Sequence, residues 1–232
     1  MTTPSSPMKL YIAHGSPNCR KVHAVVEALG LKPELVLLNP ATGELSAPSF
    51  LEVNPNGKVP ALQEGELRLW ESNAIMAYLC RRHGPTSLYP EEPAARADVD
   101  RWLSWDLAHF GAHLASALFE RVFKRFAGAG EPDEDSVGRS LRAWAPYAKV
   151  LDSSLSSRPF VCGDAVTIAD FSLGSQLALA PYGRLDLAGH PNIRAWLGRL
   201  DEVPAWRATA MPEPMRAQLD GLFGTATASS SS

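Results

Sequence analysis

Ser16-Pro17-Asn18-Cys19-Arg20 gathers a hydroxyl, a carboxamide and a thiol into one short turn ahead of an apolar-periodic stretch. A helix that starts there presents unpaired amides and the positive end of its dipole, so its first turn favours an anion. Ser16 in that setting is either a plain N-cap or a donor to a bound anion, Asn18 is the second candidate donor, and Pro17 at the first helical position fits both readings. Glu71-Ser72 repeats the pattern at the start of another helix, where a cap pocket is also an anion pocket. Ser16-Pro-Asn-Cys19 also occupies the frame of a CxxC redox motif with serine at the attacking place, which rules out an intramolecular disulfide. Other chemistries lack their signatures. There is no Gly-x-Ser-x-Gly, no HExxH and no Walker-type glycine loop. His109 and His113 stand at i and i+4 but have no third ligand in view, so no metal is expected.

These groups need a scaffold, and up to about residue 86 short β-type runs alternate with helical ones. Lys9–Ala13 reads as a buried strand. Cys19–Leu29 reads as a helix with apolar positions at Val22, Val25, Val26 and Leu29, closed by Gly30. Glu34–Leu38 is a second strand, Phe50–Val53 a helical turn, and Ala61–Gln63 with Leu67–Leu69 a hairpin about Gly65. Ser72 is expected to cap a helix running to about Arg82. The order β-α-β-α-β-β-α predicts a small α/β domain over residues 8–86. Residues 87–93 form a Pro-rich linker, and helical patterns then fill an all-α domain over 94–222. Residues 1–7 and 223–232 lack apolar periodicity and read as disordered tails.

The first long helix of that second domain carries two stripes. Leu103, Leu107, Phe110, Leu114 and Leu118 form a core face, whereas Trp102, Trp105, His109 and His113 form a semi-polar aromatic one. The second stripe suits a cleft, a subunit interface or a further packing face. Gly163-Asp-Ala-Val-Thr-Ile-Ala-Asp170 reads as a capping box ahead of a helix so apolar that it must be buried, and its expected job is folding.

Composition narrows the function. Of 232 residues 45% are hydrophobic and 20% charged, the balance of a globular protein, and the net charge is -3. The longest basic run is Arg81-Arg82, too sparse for nucleic acid or an anionic membrane surface. No apolar run approaches the ~18–20 residues of a membrane span. Three well-separated cysteines and no secretory h-region predict a cytoplasmic protein.

Three segments, Ser16–Val22, Asn54–Pro60 and Glu71–Ile75, stand in the order and spacing of the thioredoxin-like half of glutathione transferases, and the capping box matches the helical half. Over nearly all of residues 8–222 the chain resembles the cytosolic members of that family with a serine-type active site, of the bacterial nu, theta, phi or beta-like kind. The resemblance implies a thioredoxin-like N-terminal domain and a C-terminal helical bundle. It implies a homodimer, with glutathione as co-substrate and a small hydrophobic electrophile as acceptor. Such an enzyme must stabilise the glutathione thiolate, and lowering a thiol pKa by about two units takes roughly 2.7 kcal/mol, within reach of one or two well-aimed donors. Ser16 is the implied donor, with Asn18 as the alternative. Val59-Pro60 resembles the cis-proline turn that aims the backbone of Val59 at the peptide. Lys58 would reach a carboxylate, Ser72 the γ-glutamyl carboxylate, and Glu71 the ammonium group. Trp105, His109 and Phe110 are the candidates for the acceptor pocket. One departure stands out: Leu45 and Ser46 occupy places where many relatives carry a His and a basic residue for the glycine carboxylate. Two other functions stay open, a glutathione-dependent disulfide or peroxide reductase and a non-catalytic binding module of the same fold.

Overall fold

A computed structural model describes residues 7–84 and 86–224, so the expected tails lie almost wholly outside the described residues. The first domain is a four-stranded mixed sheet in the order β2-β1-β3-β4, with β1 at Met8–Ile12, β2 at Glu34–Leu37, β3 at Ala61–Glu64 and β4 at Leu67–Trp70. β1 runs parallel to β2 and antiparallel to β3, and β3 and β4 form the expected hairpin. The two-residue period of the strands assigns the faces. Leu10, Ile12 and Leu62 enter the main core with helices α1 (Pro17–Ala28) and α3 (Ser72–Arg82). Tyr11 and Ala61 point the other way, into a smaller cluster with Phe50 of α2 (Pro48–Leu51) and Val53. This is the thioredoxin-like arrangement.

The linker is packed down rather than slack. Leu88 and Tyr89 are buried, and the Leu88 carbonyl accepts from Ile168 N at 2.9 Å. Glu92 then caps α4 (Pro93–Trp105) by accepting from Ala94 N and Ala95 N. A π-helical segment (Asp106–Phe110), α5 (Gly111–Leu118), a second π-helical segment (Phe119–Phe123) and α6 (Lys124–Phe126) continue the same rod. The bundle is completed by α7 (Glu134–Ser154), α8 (Ile168–Leu177), α9 (Pro191–Asp201), α10 (Pro204–Ala208) and α11 (Glu213–Phe223). Phe223 is buried, so ordered structure reaches past residue 222.

Of the expected core face on the long helix Leu103, Phe110, Leu114 and Leu118 are buried, and Leu107 departs from it within the first π-helical segment. In that segment the ladder departs from the α-helical step, and Asp106 is buried while Leu107 is 56% exposed. Trp102, on the second stripe, is 3% exposed, which fits the further packing face among that stripe's readings, with α4 packed on α8.

Helix α8 is the buried centre of the second domain. Its capping box is present: Asp170 Oδ2 accepts from Thr167 N at 2.8 Å and from Thr167 Oγ1 at 3.0 Å. Gly174 is needed for close approach, since a Cβ there would meet Leu200 Cδ2 at 2.4 Å. Among the described residues no helix is long and apolar enough to cross a membrane.

Candidate active site

Two helix N-termini and one loop converge on an open cleft of about 120 Å³ in the first domain. Helix α1 contributes Asn18, the Asn54–Pro60 loop contributes Asn54, Asn56, Lys58, Val59 and Pro60, and the start of α3 contributes Glu71 and Ser72. Apart from Val59 and Pro60 every lining side chain is polar, which suits a zwitterionic ligand more than an apolar one.

The loop is folded around one buried carboxamide. Asn54 Oδ1 accepts from Asn56 N at 3.0 Å and Asn56 Nδ2 at 2.9 Å, and Asn54 Nδ2 donates to the Lys58 carbonyl. Gly57 has φ +60, and a Cβ there would stand 3.0 Å from the Leu45 carbonyl oxygen. That turn holds the exposed Lys58 at the cleft, and the Val59-Pro60 bond beside it is cis. Leu45 packs towards the cluster of Phe50 and Val53, so its side chain offers a ligand nothing polar.

At α3 the expectation needs adjusting. Glu71, not Ser72, stands at the N-cap position, with φ 69 and ψ 109, while Ser72 is the first helical residue. A non-glycine residue in that region costs about 1–3 kcal/mol, and such strain concentrates at functional sites. The turn keeps an exposed carboxylate at the cleft where a glycine would relax the backbone. Ser72 is buried and donates to Asn18 Oδ1 at 3.3 Å, which joins the two helix ends across the cleft floor.

Ser16 is the N-cap of α1 and lies beside the cleft rather than among its lining residues. Its Oγ accepts from Cys19 N at 3.3 Å. An acceptor role uses a lone pair and leaves the hydroxyl proton available, so capping and donation to a thiolate are compatible. Cys19 lies behind it, 3% exposed; burial pushes its thiol pKa up, against the Ser16 hydroxyl and the Ala13 amide. A buried, protonated thiol is a poor attacker, which removes Cys19 as a redox centre.

Arg20, four residues on, faces the second domain. Its Cζ sits 3.8 Å from the centroid of the Trp206 ring, which also stacks on Phe171. Burial depresses the guanidinium to about 10, with Asp201 opposing. This cation–π clamp fixes α1, and with it Ser16, against α8 and α10.

The acceptor-pocket candidates are placed elsewhere. Trp105 and His109 pack on Tyr147 of α7, and Phe110 packs on Trp144. None of the three lines the cleft. A different side chain adjoins the turn before Ser16: a Cβ on Gly15 would stand 3.0 Å from Met215 Sδ of α11. Sequence reasoning passes over Met215, Asn54 and Asn56 as site residues. Asn54 and Asn56 lie inside a motif that the sequence does single out, whereas nothing in the pattern around Met215 relates it to residue 15.

Two family models match this chain, glutathione S-transferase N-terminal domain over residues 6–81 and glutathione S-transferase C-terminal domain over residues 106–199. A probable glutathione S-transferase of Oryza sativa subsp. japonica is 34% identical over 208 residues, which cover 88% of this chain and 96% of that protein. Glutathione S-transferase 1 of Zea mays is 33% identical over the same extent. Among solved structures, glutathione S-transferase-I bound with lactoylglutathione superposes with a TM-score of 0.79 at 32% identity, covering 88% of this chain and 99% of that one. A theta class enzyme from Xanthomonas axonopodis pv. citri with glutathione bound gives 0.81 at 30%, covering 89% and 98%. With both halves matched and the fold and cleft in agreement, the chain belongs to the glutathione S-transferase family.

Proposed function

We propose that this protein binds glutathione along the cleft and activates its thiol for attack on a small hydrophobic electrophile. The observation that carries the reading is the convergence of two helix N-termini and the Val59-Pro60 turn on one polar cleft. In this reading the backbone of Val59 pairs with the cysteinyl unit as a short added strand. Ser72 takes the γ-glutamyl carboxylate, Glu71 the ammonium group and Lys58 the glycine carboxylate, and Ser16 donates to the thiolate. With Leu45 turned inward, Lys58 holds the glycine end without the basic pair seen in many relatives.

The direct test is retention on immobilised glutathione, followed by conjugation to a chlorinated nitroaromatic. Ser72→Ala should raise KM for glutathione about 10-fold, because it removes a hydroxyl that would turn from Asn18 Oδ1 to the ligand carboxylate, and a hydrogen bond to a charged group is worth ~1.5–3 kcal/mol. Its kcat should change less. Wild-type protein that is not retained and does not conjugate would leave only the binding-module reading. Retention without conjugation, together with turnover of a disulfide or hydroperoxide, would select the reductase.

We also propose a cytoplasmic homodimer. The Trp102 side chain is buried and no longer supports it, but Leu67 and Trp70 lie exposed on edge strand β4. An edge strand with apolar side chains calls for cover. Light scattering at micromolar concentration should give a dimer mass, and a monomer mass would count against the proposal.

A further inference from the structure

We infer that Lys21 is a positioning residue of the thiol site: through Asn73 and Ser172 it locks the helix that carries Ser16 to the helix that carries Ser72 and to Asp106 of the second domain. The inference rests on the glutathione reading above.

Lys21 is 2% exposed and its ammonium group has left water entirely. Nζ donates to Asn73 Oδ1 at 2.7 Å and to Ser172 Oγ at 3.1 Å. Ser172 Oγ donates its own proton to Asp106 Oδ2 at 2.6 Å. Asn73 Nδ2 reaches the Leu103 carbonyl at 3.4 Å. One charge pair, bridged by a serine, thus joins α1, α3, α8 and the rod of residues 93–126. The charged groups facing Lys21 are Asp106 and Glu71. Burial depresses Lys21 to about 8, with Asp106 and then Glu71 opposing, so it stays mostly protonated at neutral pH. Burial pushes the Asp106 carboxyl up, and Lys21 and then Ser172 oppose that.

Two features indicate that the chain is built around this contact. The first π-helical segment opens on Asp106 and brings a carboxylate, not Leu107, to the inner face. The rod also carries a glycine at 111, where a Cβ would stand 2.5 Å from Asp106 Oδ1 and 2.8 Å from Gln176 Nε2. A buried ion pair is weak evidence for stability, because apolar residues of similar volume often serve as well. What an apolar core does not supply is the directed bond to Asn73. That residue directly follows Ser72, and Lys21 lies five residues after Ser16, roughly 7.5 Å along the helix. The Lys21–Asn73 bond therefore sets the separation between Ser16, assigned to the cysteinyl thiolate, and Ser72, assigned to the γ-glutamyl carboxylate. A small displacement of a donor from its target is enough to lose most of its effect.

The experiment compares wild type, Asn73→Ala, Asn73→Ser and the charge-free pair Lys21→Met/Asp106→Leu. Three quantities are read on each: the melting temperature, the pKa of the enzyme-bound glutathione thiol from its ultraviolet thiolate band, and the pH profile of conjugation. The double variant should melt near wild type yet show a bound thiol pKa about one unit higher. Its kcat/KM at neutral pH should fall about tenfold and recover as the pH rises. Asn73→Ala should move the same way, and Asn73→Ser, which keeps an acceptor, should restore part of the loss. A folded double variant with wild-type thiol pKa and pH profile overturns the inference. Should the double variant not fold, Asn73→Ala decides by the same readout. A wild type that neither retains glutathione nor shows the thiolate band sinks the glutathione reading itself, whereas a normal wild type with unshifted variants sinks only the role of Lys21.

Discussion

Ser16→Ala should slow conjugation at neutral pH by roughly 10- to 150-fold, the equivalent of losing one ~1.5–3 kcal/mol hydrogen bond to a thiolate. The hydroxyl is preset for the task. Its oxygen accepts from Cys19 N, which fixes its place at the start of α1, while its proton, directed at the Cys19 thiol, would turn to a bound sulfur anion. KM for glutathione should change less, because Val59, Glu71 and Ser72 hold the peptide away from the sulfur. Raising the pH should partly restore the variant, since solution then supplies the thiolate. Capping and catalysis separate in one comparison. Losing the cap costs about 1 kcal/mol of stability and moves the melting temperature by a few degrees, without a pH signature. Asn18→Ala is the matched control: Asn18 Oδ1 accepts from Ser72, which leaves its Nδ2 as the alternative donor to the sulfur. If Asn18→Ala is the damaging change and Ser16→Ala nearly silent, the two roles are exchanged. If neither slows the reaction, the helix amides alone hold the thiolate.

The domain order, the four strands and most helices are legible in the sequence because each rests on local periodicity or on a cap that a few neighbouring residues define. The capping box at Thr167–Asp170 is such a signal, and so is the hairpin about Gly65. Where the pattern misleads, a non-local cause intervenes. A regular 100° step places Leu107 in the core, whereas in the first π-helical segment Asp106 faces inward, within electrostatic reach of the buried Lys21 of the other domain. Asn18, Glu71 and Ser72 are legible as cleft side chains because two helix starts carry the same anion chemistry, whereas Asn54 and Asn56 lie in a loop that no local period marks. The approach of Met215 to Gly15 is not legible either, since the two lie far apart in sequence. Lys21 itself leaves a trace. It falls one turn before Val25 on the apolar face of α1, where an unpartnered lysine would not be buried. The partners that allow its burial lie 52 and 151 residues away in sequence.

Asp170→Ala should destabilise the protein by about 3–5 kcal/mol, lowering the melting temperature by roughly 10 °C or more. The carboxylate is fully buried and accepts four hydrogen bonds. Val161 N donates to Oδ1 at 2.8 Å and Trp196 Nε1 at 2.9 Å, while Thr167 N and Thr167 Oγ1 donate to Oδ2. Those donors come from three places: the turn before α8, the N-terminus of α8, and α9. Burial pushes the carboxyl pKa up, and the four donors pull it back. Truncation to alanine removes the cost of burying the charge but strands two backbone amides and an indole N–H, each at about 1–3 kcal/mol. The loss outweighs the relief because the donors cannot turn to water from inside the bundle. Asp170→Asn should be nearly as harmful, since its amide group would set a donor against Thr167 N or against Val161 N and Trp196 Nε1. Thr167→Ser keeps every bond and should melt within a few degrees of wild type. Thermal melts of the three variants decide the matter: an Asp170→Ala protein that melts with wild type would mean that the donors find other partners, and the capping box would then be dispensable for the fold.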